Sequence, residues 1–333
     1  MAKTNRTRGA NYLGLDIGGT KCAVSLARIN NEHEIAIVGK EVYQSMDFPG
    51  PDKMIGQLQK GIELILTKND VILQDIESIG ISCGGPLNSK TGMILSPPNL
   101  PGWDEIPIVE LFQKKFNKPT SLQNDANACA LAEWKFGAGK GYQNIIFLTF
   151  GTGLGAGLIL NGRLYAGTND MAGEVGHIRL ENIGPVGYGK AGSFEGFCSG
   201  GGIAQLAQLK VREKLQMGQT VSFCKNMQDI DLLTAQVVAN AARDGDPLAK
   251  EIYNLCGTYF GKGLSILIDI LNPELIIIGS IFVRSGDLLL PAIEKKLDEE
   301  SLPLSNKVCR IVPAGLGESV GDYAALSVAI YED

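Results

Sequence analysis

The sequence predicts an α/β protein made of two copies of one folding unit. Three observations predict it. A strand, a Gly/Thr turn and a second strand occupy residues 12–27 and recur at 144–160. Apolar extended runs alternate with helical-period segments through both halves. The 333 residues are also enough chain for two domains. A repeat on this scale is a fold-level signal, although two unrelated hairpins would give the same local pattern.

Taken in order, residues 12–17 are an apolar strand, Gly18-Gly19-Thr20-Lys21 turns the chain, and 22–29 and 35–43 are strands. Helical periodicity runs over 51–67 through Met54, Ile55, Leu58, Ile62, Ile65 and Leu66. Residues 76–82 form a short buried strand ending in Gly84-Gly85-Pro86. A helix at 108–116 stops before Pro119, and a strand at 120–123 leads into an Ala-rich helix at 126–135. Residues 12–118 thus read as one unit. The second opens with a strand at 144–150, the turn Gly151-Thr152-Gly153-Leu154-Gly155, a strand at 156–160 and the hairpin turn Asn161-Gly162. A Gly-rich loop (184–202) and a long helical region (203–269) follow. A very apolar strand at 274–279, a helix near 288–297, a strand at 308–313 and a helix at 322–331 complete the chain.

Composition narrows the function. Hydrophobic residues are 44% and charged residues 20%, which excludes a disordered chain. A net charge of −6 argues against a nucleic-acid partner but leaves a local anion site open. Seven scattered cysteines without a CxxC read as reduced thiols. Residues 1–10 are polar and basic, without the apolar core of a signal peptide, and no apolar run is long enough to span a bilayer. The expectation is a cytoplasmic protein with no membrane partner. Glycine, at 42 residues, is about twice its usual share. It clusters at 18–19, 84–85, 151–157, 184–202 and 315–321, as expected of loops converging on a ligand.

Gly151 to Ala156 matches G-x-G-x-x-A, but that dinucleotide fingerprint must open a helix, and here the chain continues as strand. A Walker A loop is excluded because Cys22 follows Lys21. What remains is two hairpin turns whose N–H groups and Thr hydroxyls can cradle phosphates. Asp16, at the end of the first strand, suits a Mg²⁺ held largely through water.

Leu15-Asp16-Ile17-Gly18-Gly19-Thr20-Lys21 with Phe150-Gly151-Thr152-Gly153-Leu154-Gly155 resembles the two phosphate loops of the actin-like ATPase superfamily. Further motifs are Pro98-Asn99-Leu100-Pro101-Gly102-Trp103, Asn124-Asp125-Ala126-Asn127-Ala128, Gly173-Glu174-Val175-Gly176-His177, Phe194-Glu195 with Ser199-Gly200, and Leu271-Asn272-Pro273 through Gly279. In order and spacing, over about 12–328, they resemble the ROK family (repressors, open reading frames and sugar kinases). The resemblance implies two actin-like, ribonuclease-H-like α/β lobes with the active site in the cleft between them. It divides the chain into a small lobe, 1–121 plus 320–333, and a large lobe, 122–319. The last helix is expected to cross back onto the first lobe, with 315–321 as a hinge. A homodimer is the expected assembly. Repressor members carry an extra N-terminal helix-turn-helix, for which the residues before Asp16 leave no room.

The resemblance also assigns residues. Asp125 becomes the base that takes a proton from a sugar hydroxyl; by pattern alone it reads first as a cap at the helix start beside Asn124, and the resemblance reverses that order. Gly85, Asn99, Asn124, Asp125, Glu174, His177 and Glu195 become the sugar site, where amides and carboxylates can each bond two hydroxyls. Glu174 and His177, three apart, share one face of a helical turn. His177 is one of two histidines, with His33 in a polar loop. Asp16, Gly18, Gly19, Thr20, Lys21, Gly151, Thr152, Gly153, Gly279 and Ser280 are assigned to ATP and Mg²⁺. Gly279-Ser280 reads equally as an ordinary strand-to-helix turn, and many relatives carry a second Gly in place of Ser280.

One departure stands out. Many members hold a structural Zn²⁺ through the histidine and a C-x-C-G-x-x-G-C-x-E segment. Here Val186, Tyr188 and Ser193 replace the three cysteines, and a structural zinc needs four N/S ligands. No zinc is expected, and packing by Tyr188 and Phe194 is expected to hold the loop. The function implied is ATP-dependent phosphorylation of a hexose, glucose to glucose 6-phosphate. Alternatives are an N-acetylmannosamine kinase or fructokinase, or a non-catalytic sugar-binding regulator. A chaperone-like ATPase would need a peptide-binding extension, which the sequence lacks.

Overall fold

Each half of the chain builds a five-stranded sheet around its own first strand. The structure, a computed structural model, describes residues 9–30 and 34–331; His33 and most of the polar N-terminal stretch lie outside the described residues. The first sheet comprises β1 (Ala10–Ile17), β2 (Lys21–Ile29), β3 (Ile35–Gln44), β4 (Ile76–Cys83) and β5 (Thr120–Asn124), in the order β3-β2-β1-β4-β5. β1 pairs antiparallel with β2 and parallel with β4, and β5 extends the parallel side. The second comprises β6 (Ile145–Phe150), β7 (Leu154–Leu160), β8 (Arg163–Leu164), β9 (Leu275–Ile278) and β10 (Arg310–Pro313), in the order β8-β7-β6-β9-β10. β9 lies parallel to both β6 and β10. The two orders are the same, so the repeat read from two glycine turns is a repeat of whole sheets. This is the two-sheet α/β, actin-like arrangement expected from the sequence.

The helices are α1 (Pro51–Lys68), α2 (Ile108–Phe116), α3 (Asp125–Phe136), α4 (Phe194–Phe197), α5 (Gly200–Gln216), α6 (Ala235–Arg243), α7 (Pro247–Leu271), α8 (Ile281–Glu300), α9 (Pro303–Val308) and α10 (Val320–Ile330). Pro51 opens α1 at a position that needs no backbone donor. Its stripe of Met54, Ile55, Leu58, Ile62 and Ile65 joins Leu13, Leu15, Val24 and Leu26 of the sheet, with Phe112 and Phe116 of α2, in one core. In the second half Phe150 of β6 stacks on Phe260 of α7 at 4.9 Å between ring centres.

One expected helix and one expected loop differ. α8 starts at Ile281, not near 288, because Ser285 leaves helical geometry (φ −138°, ψ 21°) and Gly286 and Pro291 interrupt the periodicity. The region 184–202 is not a continuous loop: it holds a small hairpin, the short helix α4 and the first turn of α5.

The chain divides into two units. The first holds the described residues up to 141, then 157–172 and 318 onward; the second holds 142–156 and 173–317. The expected division at 121/122 is therefore displaced. α3 packs against α10 and β5 of the first unit, and a Cβ at Gly157 would lie 2.3 Å from the Ala126 carbonyl oxygen, so that strand end belongs with α3. The last helix returns to the first unit as expected. α10 lies directly on the sheet because Gly80 has no side chain: a Cβ there would sit 2.1 Å from the Ala325 oxygen and 2.3 Å from the Ala329 nitrogen. Both neighbours are helix backbone and cannot rotate away. Gly80→Val is therefore expected to destabilise the protein by about 1–3 kcal/mol, read as a lower urea midpoint; an unchanged midpoint would show that α10 does not rest there.

Candidate active site

The carboxyl ends of β1, β4 and β5 lie side by side, with Ile17 opposite Cys83 and Cys83 opposite Asn124. Residues following parallel strands collect at that end of a sheet, where open α/β proteins bind ligands. The first unit thus brings together the Gly18–Lys21 turn, Gly85, Asn99, Asn124, Asp125 and Asp16. Asn99 packs its backbone oxygen 2.3 Å from where a Gly19 Cβ would be, with its amide 3.4 Å from that of Gly84. The Asn124 amide nitrogen stands 3.1 Å from the corresponding point at Gly85.

Asn124 caps α3: its Oδ1 accepts from the Ala126 N–H at 2.9 Å, and Asp125 Oδ1 accepts from the same N–H at 2.8 Å. The sequence left cap and base as rival roles for Asp125. Asn124 fills the cap, and Asp125 sits in the first helical turn with one oxygen anchored. Its residue surface is open to solvent while protein atoms crowd the carboxyl from most sides. That loss of water raises its pKa, against the pull of its backbone hydrogen bonds.

Asp16 is pushed up to about 6, first by burial and then by the neighbouring Asp125 charge, with Asp322 adding to it and Lys21 and Lys40 opposing it. Excess negative charge at the mouth of a Gly/Thr turn is the environment a divalent cation would relieve, so these residues fit Mg²⁺. Two features were missed in the sequence. Ser45 pins the first turn, donating its hydroxyl to the Gly18 carbonyl at 2.8 Å and its N–H to the Thr20 carbonyl at 2.9 Å. Lys40 of β3 forms an ion pair with Asp322 of α10. No local signal marks Ser45: the β2–β3 hairpin pairs Lys21 with Gln44 and so delivers the next residue to the turn.

The second unit gathers the other set. Gly279 and Ser280 follow β9 at the same end as Gly151, Thr152 and Gly153 after β6. A Cβ at Gly151 would lie 3.7 Å from Ser280 Oγ. Ser280 itself has φ +50° and ψ −110°, a conformation strained for a residue with a side chain; this explains why glycine suits the position. The N–H of Gly200, at the start of α5, donates to the Gly151 carbonyl at 2.8 Å. Glu174 and His177 are exposed at the two ends of one 3₁₀ turn whose Val175 and Gly176 are buried, and Gly173 carries φ +92° where a Cβ would strike the Ala156 carbonyl at 2.0 Å. Glu195 has a contact that its motif does not announce: its Oε2 accepts from the Leu154 N–H at 3.0 Å.

The loop between His177 and Glu195 is held differently from the expectation. Tyr188 is 74% exposed with φ +43° and braces nothing, whereas Phe194 is fully buried against Phe260. Polar straps do the remainder. Gln205 bonds both the N–H (2.8 Å) and carbonyl (2.9 Å) of Val186, Lys190 donates to the His177 carbonyl at 2.7 Å, and Arg179 to that of Ala191 at 2.8 Å. Several of its glycines serve this packing instead of a ligand: a Cβ at Gly196 would lie 2.3 Å from the Pro185 oxygen. Of the three positions where relatives carry cysteine, Ser193 is buried and caps α4 through its hydroxyl, and neither Val186 nor Tyr188 offers a nitrogen or sulfur ligand. Among the described residues no group of three or more His, Cys, Asp or Glu is placed to hold a metal ion. The residues present do not fit zinc. Elemental analysis of the purified protein is expected to give well under one zinc per chain, with a chelator leaving Tm unchanged once Mg²⁺ is restored. One zinc per chain would contradict this. No helix among the described residues is long and apolar enough to cross a membrane.

The ROK family model matches residues 12–331. A glucokinase from Halalkalibacterium halodurans is 31% identical over 93% of this chain and 92% of its own length. The solved structure of a ROK family glucokinase from Streptomyces griseus, in complex with glucose and AMPPNP, aligns with TM-score 0.73 and 27% identity over 96% of this chain and 99% of that one. A ROK family transcriptional regulator, homologous to the Escherichia coli Mlc protein, aligns with TM-score 0.82 and 25% identity over 96% of this chain and 78% of its own. The chain belongs to the ROK family.

Proposed function

We propose that this ROK protein is an ATP-dependent hexose kinase, converting glucose to glucose 6-phosphate. The observation that carries the proposal is the Asp125 carboxyl at the head of α3, anchored by the Ala126 N–H, next to Asn124, whose amide lies against Gly85. A sugar hydroxyl is a weak nucleophile, and a positioned carboxylate raises its reactivity by roughly 10²–10⁴-fold. An elevated pKa makes Asp125 a better base near neutral pH than an ordinary carboxylate.

In this account Asn99, Asn124, Glu174, His177 and Glu195 hold the sugar. Asp125 accepts the hydroxyl proton as the oxygen bonds the γ-phosphorus; the bond to the β-phosphate oxygen breaks and ADP leaves. The Gly18–Lys21 and Gly151–Gly153 turns hold the phosphates, and Gly279-Ser280 borders the nucleotide. Asp16 would hold Mg²⁺, which when bound neutralises phosphate charge. The glucokinase relatives support this reading.

The alignment with a transcriptional regulator keeps a second reading in play, a sugar-binding protein without turnover. An ADP-release assay across hexoses and N-acetylhexosamines separates the two. The expected result is sugar-dependent ADP release, greatest with glucose. Release greatest with N-acetylmannosamine or fructose would reassign the substrate, and no release with any sugar would favour the regulator.

A further inference from the structure

Glu195 sits where three segments of the second unit meet. Its Oε2 accepts from the Leu154 N–H at 3.0 Å and would be 2.8 Å from a Cβ at Gly153. A Cβ at Gly176, in the Glu174–His177 segment, would lie 3.1 Å from Glu195 Cβ, and one at Gly187 would lie 2.8 Å from it. The backbone beneath is fixed: Ser193 caps α4 by accepting from Gly196 N–H at 3.1 Å, and the neighbouring Phe194 is fully buried. One carboxylate oxygen thus bonds the glycine turn, and glycine on three sides leaves the side chain room to lie there.

We propose that Glu195 is a coupling residue: it holds the Gly151–Gly155 turn through Leu154, and through the same carboxylate ties nucleotide binding to sugar binding. This rests on the kinase reading above. A sugar hydroxyl bonding the carboxylate would fix its rotamer, and a fixed rotamer holds the turn in its phosphate-binding shape. Such coupling is reciprocal, so sugar tightens nucleotide by the same factor as nucleotide tightens sugar.

The test measures affinity for Mg²⁺–AMPPNP with and without glucose, in wild type, Glu195→Gln and Glu195→Ala. Amide exchange around Leu154 in the ligand-free proteins is followed alongside. Gln keeps a neutral acceptor for the Leu154 N–H; Ala removes it. Wild type is expected to bind AMPPNP several-fold tighter with glucose. Ala is expected to bind AMPPNP at least about fivefold more weakly even without sugar, to lose the glucose effect, and to exchange the Leu154 amide faster. Gln should restore sugar-free AMPPNP affinity and Leu154 protection to near wild type. If Ala loses glucose but keeps wild-type AMPPNP affinity and protection, Glu195 is a sugar ligand alone and the coupling is refuted. If wild type binds neither ligand, the kinase reading falls and the coupling with it. Unchanged melting temperatures in the variants show that their own losses do not come from misfolding.

Discussion

Asp125→Asn is expected to lower kcat by at least about 100-fold while sugar affinity stays within about threefold of wild type. The amide preserves the shape of the residue and an acceptor oxygen for the Ala126 N–H, so α3 should begin where it does now. What the amide cannot do is take a proton. Asn124 remains as the cap, which separates chemistry from helix stability: the variant's Tm should change little. Turnover close to wild type in the purified variant would remove Asp125 from the chemistry. A large fall in Tm would return it to the capping role.

The second large effect is at Asp16, where binding and stability should move in opposite directions. Its pKa stands near 6, against an ordinary value of 3.8, because burial and the Asp125 charge both disfavour its ionised form. A carboxylate raised in this way binds protons more readily folded than unfolded. Ligand-free stability contributed by the group is therefore present at low pH and lost as pH rises through about 6. At pH 7.5 Asp16 is a charge the fold tolerates at a cost, as functional residues often are. Asp16→Asn is expected to raise Tm at pH 7.5, with the gain shrinking by pH 5, and to weaken Mg²⁺–ATP binding by at least about tenfold. In wild type, kcat/KM should fall as pH drops through about 6, where Asp16 takes up its proton. A lower Tm with unchanged nucleotide affinity would mean that Asp16 is a structural residue.

How much of this was legible in the sequence depended on the range of the contacts involved. The strand at 76–82, the helix at 108–116 and both glycine turns appear within a residue or two, because apolar period and turn chemistry are local. The equal sheet orders were implied by the repeated turn, which marks the central hairpin of each sheet. Long-range facts were not visible. Nothing around Gly80 announces a helix from the far end of the chain, since the constraint is Ala325 and Ala329 backbone about 250 residues on. Ser45 acts through hairpin register, and Lys40 through Asp322, 282 residues away.

The site shows the same division. Asn124-Asp125 could be placed at a helix start from its own neighbours, yet only the fold puts Asp16 beside it and raises both carboxyls. Tyr188 was expected to pack because it is aromatic, but its hairpin position, with a left-handed φ, turns it to solvent. The loop is tied instead by Gln205, Lys190 and Arg179, polar residues whose partners are backbone atoms that leave no pattern in sequence. Glu195 was read as a sugar residue from its motif, and the hydrogen bond to Leu154 adds a contact that no spacing rule specifies.

Transfer of a phosphoryl group by this chain to a sugar hydroxyl can be followed directly by ³¹P NMR of the protein incubated with ATP, Mg²⁺ and glucose. The ATP γ-phosphate signal is expected to decay as a sugar phosphomonoester signal grows with equal ADP, and the Asp125→Asn variant is expected to slow both by at least about 100-fold. ATP left intact, or ADP appearing with free phosphate and no sugar ester, would contradict it.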